Sequence, residues 1–292
     1  MNMAIETLQN KIRKLKNPSM LDLRIPRDQL PQHLLTEEGS YLMAYCRFCR
    51  ELLQGLKGIV PAVRFSFDAF ALLGGEGLHH LSALMQEAGE SGYYVLLDGP
   101  QIVSPLAAEE AAETFFASEA YPCDGLLIEA YIGTDAIKPF VKYCKNDKDL
   151  FVVLRSSNKS ASELQDLMNG NRLVHYVAAD LVSRTGESIV TRSGYSRICG
   201  VLSATAANSI RAIRGVYKSM FLMVDGLDAP SGNHKNCSYA FDRMGHGAVV
   251  CAGLSLTAAW KETESDGRDF VSCATQAAER MRKLLTGYVP VL

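Results

Sequence analysis

Nowhere in its 292 residues does the sequence hold the ~18 uninterrupted apolar positions that a membrane-spanning helix needs, so no transmembrane segment is expected. Charge of one sign is lacking too. The 30 Lys and Arg residues stand against 32 Asp and Glu, a formal net charge of −2, which argues against a nucleic-acid binder working by bulk electrostatics. Met1 to Asn17 carries Lys11, Arg13, Lys14 and Lys16 but has no long apolar core and no small-residue cleavage site. A secretory signal is therefore not expected, and a cytoplasmic location is. Cysteine is modest, at eight residues. Cys46 and Cys49 form a lone CxxC within the helical run Tyr41–Leu53, without the second pair that four zinc ligands require. They read as small buried hydrophobes, so no metal site is expected. No break in composition and no Pro/Gly linker divides the chain. A single domain over 1-292 is expected, with 1-17 as an extra N-terminal helix packed on the outside.

What is present is a 48% hydrophobic chain, enough to bury a core. Short, β-rich apolar runs recur at Met20–Ile25, Ala62–Phe67, Tyr93–Asp98, Gly125–Ala130, Leu150–Arg155, Ile198–Leu202, Met220–Asp225 and Ala248–Cys251. Helical periodicity and helix start signals fill the intervals. Thr36-Glu-Glu opens one helix, Gly75–Ala88 and Pro105 onward give two more, and Thr134–Cys144, Ser160–Val182, Thr205–Val216, Cys237–Met244 and a stretch from Ser255 follow. Eight strands alternating with helices predict an α/β fold, a (β/α)8 TIM barrel with an extra N-terminal helix.

Such a barrel keeps its chemistry at the carboxyl ends of its strands. Here those ends carry Asp22 and Arg24, Arg64 and Ser66, Asp98, Glu129, Arg155 with Ser156 and Ser157, and Asp225. Charges of both signs on one rim suit a small, polar, charged ligand. They also suit a set of ion pairs that merely plug the barrel. Arg64 and Asp98 close neighbouring strands, so a pair between them across one strand spacing is expected, with Arg64 as the main cation toward a ligand.

The stretches Phe70-Ala-Leu-Leu-Gly-Gly-Glu-Gly-Leu78, Val95-Leu-Leu-Asp98, Ala130-Tyr-Ile-Gly-Thr-Asp-Ala-Ile-Lys-Pro-Phe140, Phe151-Val-Val-Leu-Arg-Ser-Ser-Asn158 with Glu163-Leu-Gln-Asp-Leu167, and Gly247-Ala-Val-Val250 occur in this order. Together they resemble orotidine 5′-phosphate decarboxylases of the longer bacterial type. The resemblance runs along essentially the whole chain. It implies a homodimeric barrel that uses no cofactor and removes CO2 from orotidine monophosphate. The ring carbanion left behind needs an ammonium that stabilises and then protonates it.

The matching positions depart from that chemistry. Arg64 stands at the family's strand-two Lys, and Asp98 keeps the first Asp of the Asp-x-Lys-x-x-Asp signature, but the Lys falls on Pro100 and the last Asp on Val103. An Arg cannot replace a Lys as the acid. The phosphate loop reads Asp225-Gly-Leu-Asp-Ala-Pro-Ser-Gly232, keeping Gly226 and Gly232 while Pro230 replaces the family's Gln, and Leu254 stands at the phosphate-binding Arg. Amides near Ala252 and Gly253 remain as candidates to face an anion. Ser156-Ser157-Asn158 matches the turn that contacts the pyrimidine, or else caps the helix that follows. After the first strand, where the family has Asp-Pro, Asp22 or Arg24 occupies the region.

The expectation is thus a barrel of this kind that has lost the ancestral reaction. It would bind a small anionic ligand, phosphorylated or nucleotide-like, through Asp22, Arg24, Ser66, Glu129, Arg155, Ser156, Ser157, Asn158, Asp225, Gly226, Gly232, Ala252 and Gly253, with Asp98 and Arg64 at the former catalytic positions. An active decarboxylase of pyrimidine biosynthesis, and a non-catalytic barrel pairing with an active paralogue, are the alternatives. A homodimer is expected, with Ile102 and Val103 packing at the dimer-facing loop.

Overall fold

A computed structural model describes residues 4–290. Eight strands, β1 (Ser19–Asp22), β2 (Ala62–Ser66), β3 (Tyr94–Asp98), β4 (Gly125–Glu129), β5 (Asp149–Arg155), β6 (Ser196–Ser203), β7 (Met220–Asp225) and β8 (Ala248–Ala252), pair in parallel and close into a barrel. Each expected strand is present within three residues at either end. Their interiors are almost wholly buried, which is why they read as continuous apolar runs rather than alternating ones.

Helix α1 (Ala4–Leu15) lies where the sequence places it. It covers the amino-terminal end of the barrel: Ile5, Leu8 and Ile12 are buried, and the Gln9 carboxamide accepts from the Gly247 amide at 2.9 Å, just before β8. The other helices of eight residues or more among the described residues are α2 (Tyr41–Gly55), α3 (Gly74–Glu90), α4 (Pro105–Ala112), α5 (Val174–Gly186), α6 (Ala207–Val216) and α7 (Phe270–Tyr288). Among the described residues no helix is long and apolar enough to cross a membrane.

Five helical expectations need correction. The stretch from Ser255 is not one helix: a short turn ends at Thr257, another spans Ala259–Glu262, and α7 begins only at Phe270. Thr36 lies inside a helix that already begins at Gln32 and stops at Gly39, whose φ of 63° breaks it before α2. Thr134–Cys144 is a string of short turns rather than one helix. The helix expected over Cys237–Met244 instead starts at His234, capped by Asn233, and closes at Ser238. Ser160–Val182 is divided: a four-residue helical turn, a small hairpin pairing Met168–Asn169 with Arg172–Leu173, and only then α5. The hairpin turns at Asn169-Gly170, where Gly170 takes φ 65°.

All eight cysteines are buried and unbridged. Burial pushes the Cys46 thiol up to about 11, so it stays protonated at neutral pH.

Candidate functional site

The site is built from the register of the strands. Asp22 pairs with Arg64, and Ser66 with Asp98, so Asp98 stands two residues further out than Arg64. Arg64 consequently faces Asp22 and Asp225, not Asp98. Its guanidinium bonds Asp22 Oδ2 and lies 3.1 Å from Asp225 Oδ2, and the residue is 1% exposed. The expected Arg64–Asp98 pair across adjacent strands is replaced by this deeper clamp, and Arg64 does not look into a water-filled mouth.

Arg24 takes the outer position. Asp22 Oδ1 accepts from the Arg24 amide at 3.0 Å, a turn that ends β1 and swings the Arg24 side chain back over the barrel. From there it reaches Asp22 at 3.0 Å, Asp98 at 3.3 Å and Asp225 at 3.4 Å while its side chain stays 40% exposed. Two guanidinium groups therefore share three carboxylates. Asp22, Asp225 and Cys251 also bring donor atoms within 4.8 Å of one another, a spacing that suits a cation, and Arg64 already supplies one.

The crowding of carboxylates moves their titration. Burial pushes Asp98 up to about 7, against the pull of Arg64 and with the help of Asp22, Asp225 and Asp68. Burial likewise raises Asp22 to about 6, with Arg64 opposing and Asp225 adding. A carboxyl raised in the folded state contributes stability that is fully present below about pH 4 and is lost as pH rises through its folded value. The melting temperature is thus expected to fall between pH 5 and pH 8 by a clearly smaller amount in Asp98→Asn than in the wild type. Equal falls in the two proteins would show that Asp98 does not titrate there.

Two cavities open on this rim and share Arg24, Ser157 and Asp225. The first, about 310 Å³, is walled also by Arg64, Asp68, Asp98, Glu129, Arg155, Ser156 and Asn158. The second, about 300 Å³, lies between the loops after β7 and β8 and includes Asp22, Gly226, Asp228, Gly253 and Leu254. Most of the site residues named from sequence meet here. Ser66, Gly232 and Ala252 line neither cavity: the Ser66 hydroxyl caps the turn Phe67–Ala71, and Gly232 packs on the backbone of Gly226 and Leu227. Gly226, at φ 69°, admits no Cβ because Ser157 would stand 2.5 Å from it.

Other side chains are committed elsewhere. Arg155 forms a two-armed pair with Asp166, 2.9 Å on each arm, which holds the Asp166 carboxyl below the usual range. Ser156 and Asn158 bond one another, and the Gln165 carboxamide takes the Ser156 amide at 2.8 Å, so neither side chain caps the helical turn that follows. The Gly253 amide, expected to face an anion, donates to Asp228 at 2.8 Å. Sequence reasoning missed Asp68 and the closing role of Asp228. Glu129 and Asp68 have no side-chain hydrogen bond or ion pair among the described residues.

No family model matches the chain. Proteins named orotidine 5′-phosphate decarboxylase are similar to it over most of its length. That of Rhodopirellula baltica is 28% identical over 273 residues, covering 87% of this chain and 90% of its own, and that of Clostridium acetobutylicum is 26% identical over 282 residues, covering 96% and 98%. Among solved structures, one from Toxoplasma gondii named for orotidine-monophosphate-decarboxylase superposes with a TM-score of 0.81 at 18% identity, covering 98% of both chains. The Leishmania donovani OMP decarboxylase gives 0.73 at 19% identity, covering 97% and 99%. These likenesses show the barrel fold.

Proposed function

We propose that this chain is a barrel of the orotidine 5′-phosphate decarboxylase kind that no longer performs that decarboxylation and instead holds a small anionic or zwitterionic molecule at its carboxyl-terminal rim. One observation carries the reading. No lysine lines either rim cavity, and the cation at the former strand-two Lys position, Arg64, is buried in a clamp of two carboxylates. The chemistry of the relatives needs an ammonium at the developing carbanion. The ligand-facing cation is Arg24, whose exposed guanidinium can exchange a carboxylate partner for one on a ligand.

The rim carries more acid than base. Asp22, Asp68, Asp98, Glu129, Asp225 and Asp228 line the two cavities with Arg24 and Arg64 beside them as cations, while Arg155 is neutralised by Asp166. This balance favours a zwitterion or a singly charged anion over a phosphate dianion. A thermal-shift screen of nucleotides, sugar phosphates and carboxylic and amino acids tests the reading. At least one compound should raise the melting temperature, and Arg24→Gln should abolish that rise relative to its own unliganded melting temperature. Turnover of orotidine monophosphate by the wild type would instead establish the active enzyme that the relatives' name suggests.

The chain also forms a homodimer in this reading. Leu72, Val103 and Leu106, on the segments after β2 and β3, are 87%, 74% and 64% exposed, large apolar side chains that a subunit face would cover. Ile102 does not contribute, since it is buried within its own chain. Sedimentation should find a dimer at micromolar concentration, and Val103→Asp should weaken it at least tenfold. A monomeric wild type would contradict this.

A further inference from the structure

Helix α5 carries two apolar stripes, and only one of them is covered. His175, Ala179, Val182 and Gly186 are buried in the fold. Val174, Val177, Ala178 and Leu181, spaced i, i+3, i+4 and i+7, form a second stripe that stays partly exposed. It does not face open solvent. The carboxyl ends of β4 and β5 stand opposite it, with the turn at Leu164 and the hairpin at Asn169 closing the sides, and a cavity of about 280 Å³ lies between.

The division of the stretch after β5 produces this gap. One continuous helix from Ser160 would have lain along the barrel. The short turn and the hairpin instead stand between β5 and α5, and both contribute residues to the cavity wall.

The cavity adjoins the first rim cavity, because Glu129 and Val153 wall both. Glu129 closes β4 with no ion pair or hydrogen bond to its carboxylate among the described residues. Across the cavity, the Gln165 carbonyl oxygen is engaged by Ser156, leaving its amide group free. A concave apolar wall with a few converging polar groups is the ordinary form of a small-molecule site. The single charge at its mouth is negative.

We infer that this cavity binds the aryl or alkyl portion of a small organic ammonium ion, with the ammonium against Glu129 at the junction with the rim. The occupant is a small molecule rather than a helix or a second copy of the chain, since the space is only about 280 Å³ and the one charge on its lining is the exposed Glu129 carboxylate, which complements a cation. The inference shares Glu129 with the rim site proposed above but does not depend on what binds at Arg24.

Benzylamine and benzyl alcohol, titrated calorimetrically at pH 7.5, test it. Both should bind the wild type, benzylamine about tenfold tighter for the added charge pair. Glu129→Gln should remove that advantage and leave benzyl alcohol unchanged. Ala178→Phe, which fills the cavity from the α5 stripe, should abolish binding of both; if that variant does not fold, Ala178→Met should weaken both at least fivefold. Arg24→Gln should leave benzylamine binding unchanged, which separates this test from that of the rim site. Failure of the wild type to bind either compound, equal affinity for the two, or an Ala178→Phe protein that binds as the wild type does would overturn the inference. So would loss of the dimer in Ala178→Phe, which would make the stripe a subunit interface.

Discussion

Arg64→Ala is expected to cost ~3–5 kcal/mol of folding stability with no ligand present, the loss typical when one partner of a buried ion pair is removed. The guanidinium is 1% exposed and binds Asp22 and Asp225 from within the barrel. Its removal leaves Asp22 buried with only Arg24 for a partner, and Arg24 is drawn at the same time toward Asp98 and Asp225. The sign of the pH dependence follows. Arg64 opposes the rise of the Asp22 carboxyl, so in its absence that carboxyl moves further up in the folded state. Stability in the variant is then lost more steeply as pH rises, and the gap from the wild type widens from pH 5 to pH 8. Urea unfolding at the two pH values measures this. A loss below ~1 kcal/mol at pH 8 would mean that Arg64 is not a structural clamp. Arg64→Met should fare little better than alanine, because volume is restored but charge is not.

The strands and the extra helix were legible because burial on both faces writes a continuous apolar run, and α1 writes its own amphipathic stripe. The stretch after β5 was not. Its Ala, Leu and Glu content and apolar spacing read as one helix, although Asn169-Gly170 is a hairpin signal that periodicity overrode. That error also hid the fate of Arg155, since Asp166 reaches it only once the chain has turned outward. The membership of the rim was readable from residue type and strand end. Its pairing was not, because a difference of two residues in register decides whether Arg64 meets Asp98 or Asp22. Asp228 shows the same limit: it is one residue of the loop after β7 in the sequence, and only the fold brings it onto the Gly253 amide.

Purified protein should leave orotidine monophosphate intact, with no loss of the substrate's ultraviolet absorbance above background. In that reaction the ring-to-carboxylate C–C bond breaks, CO2 departs, and the electron pair stays on a ring carbon that must then be protonated. The first cavity offers no ammonium for either task. The resemblance puts Pro100, which lines this cavity, at the donor position, and Arg64 is already engaged by Asp22 and Asp225. Asp98, raised to about 7, can hold a proton at neutral pH, but its conjugate base adds negative charge where the carbanion would form. Losing a single preorganised group costs ~10²–10³ in rate, and in the reading proposed above three such groups, the donor lysine, the second aspartate and the phosphate-binding arginine, are replaced. The substrate's phosphate would meet Asp225 and Asp228 in the second cavity, with the Gly253 amide already taken. Pro100→Lys alone should therefore not restore turnover, because the phosphate end still repels the substrate. Turnover by the wild type would place the missing ammonium elsewhere and revive the active-enzyme reading, whereas turnover by Pro100→Lys alone would show that the acidic rim still admits the nucleotide.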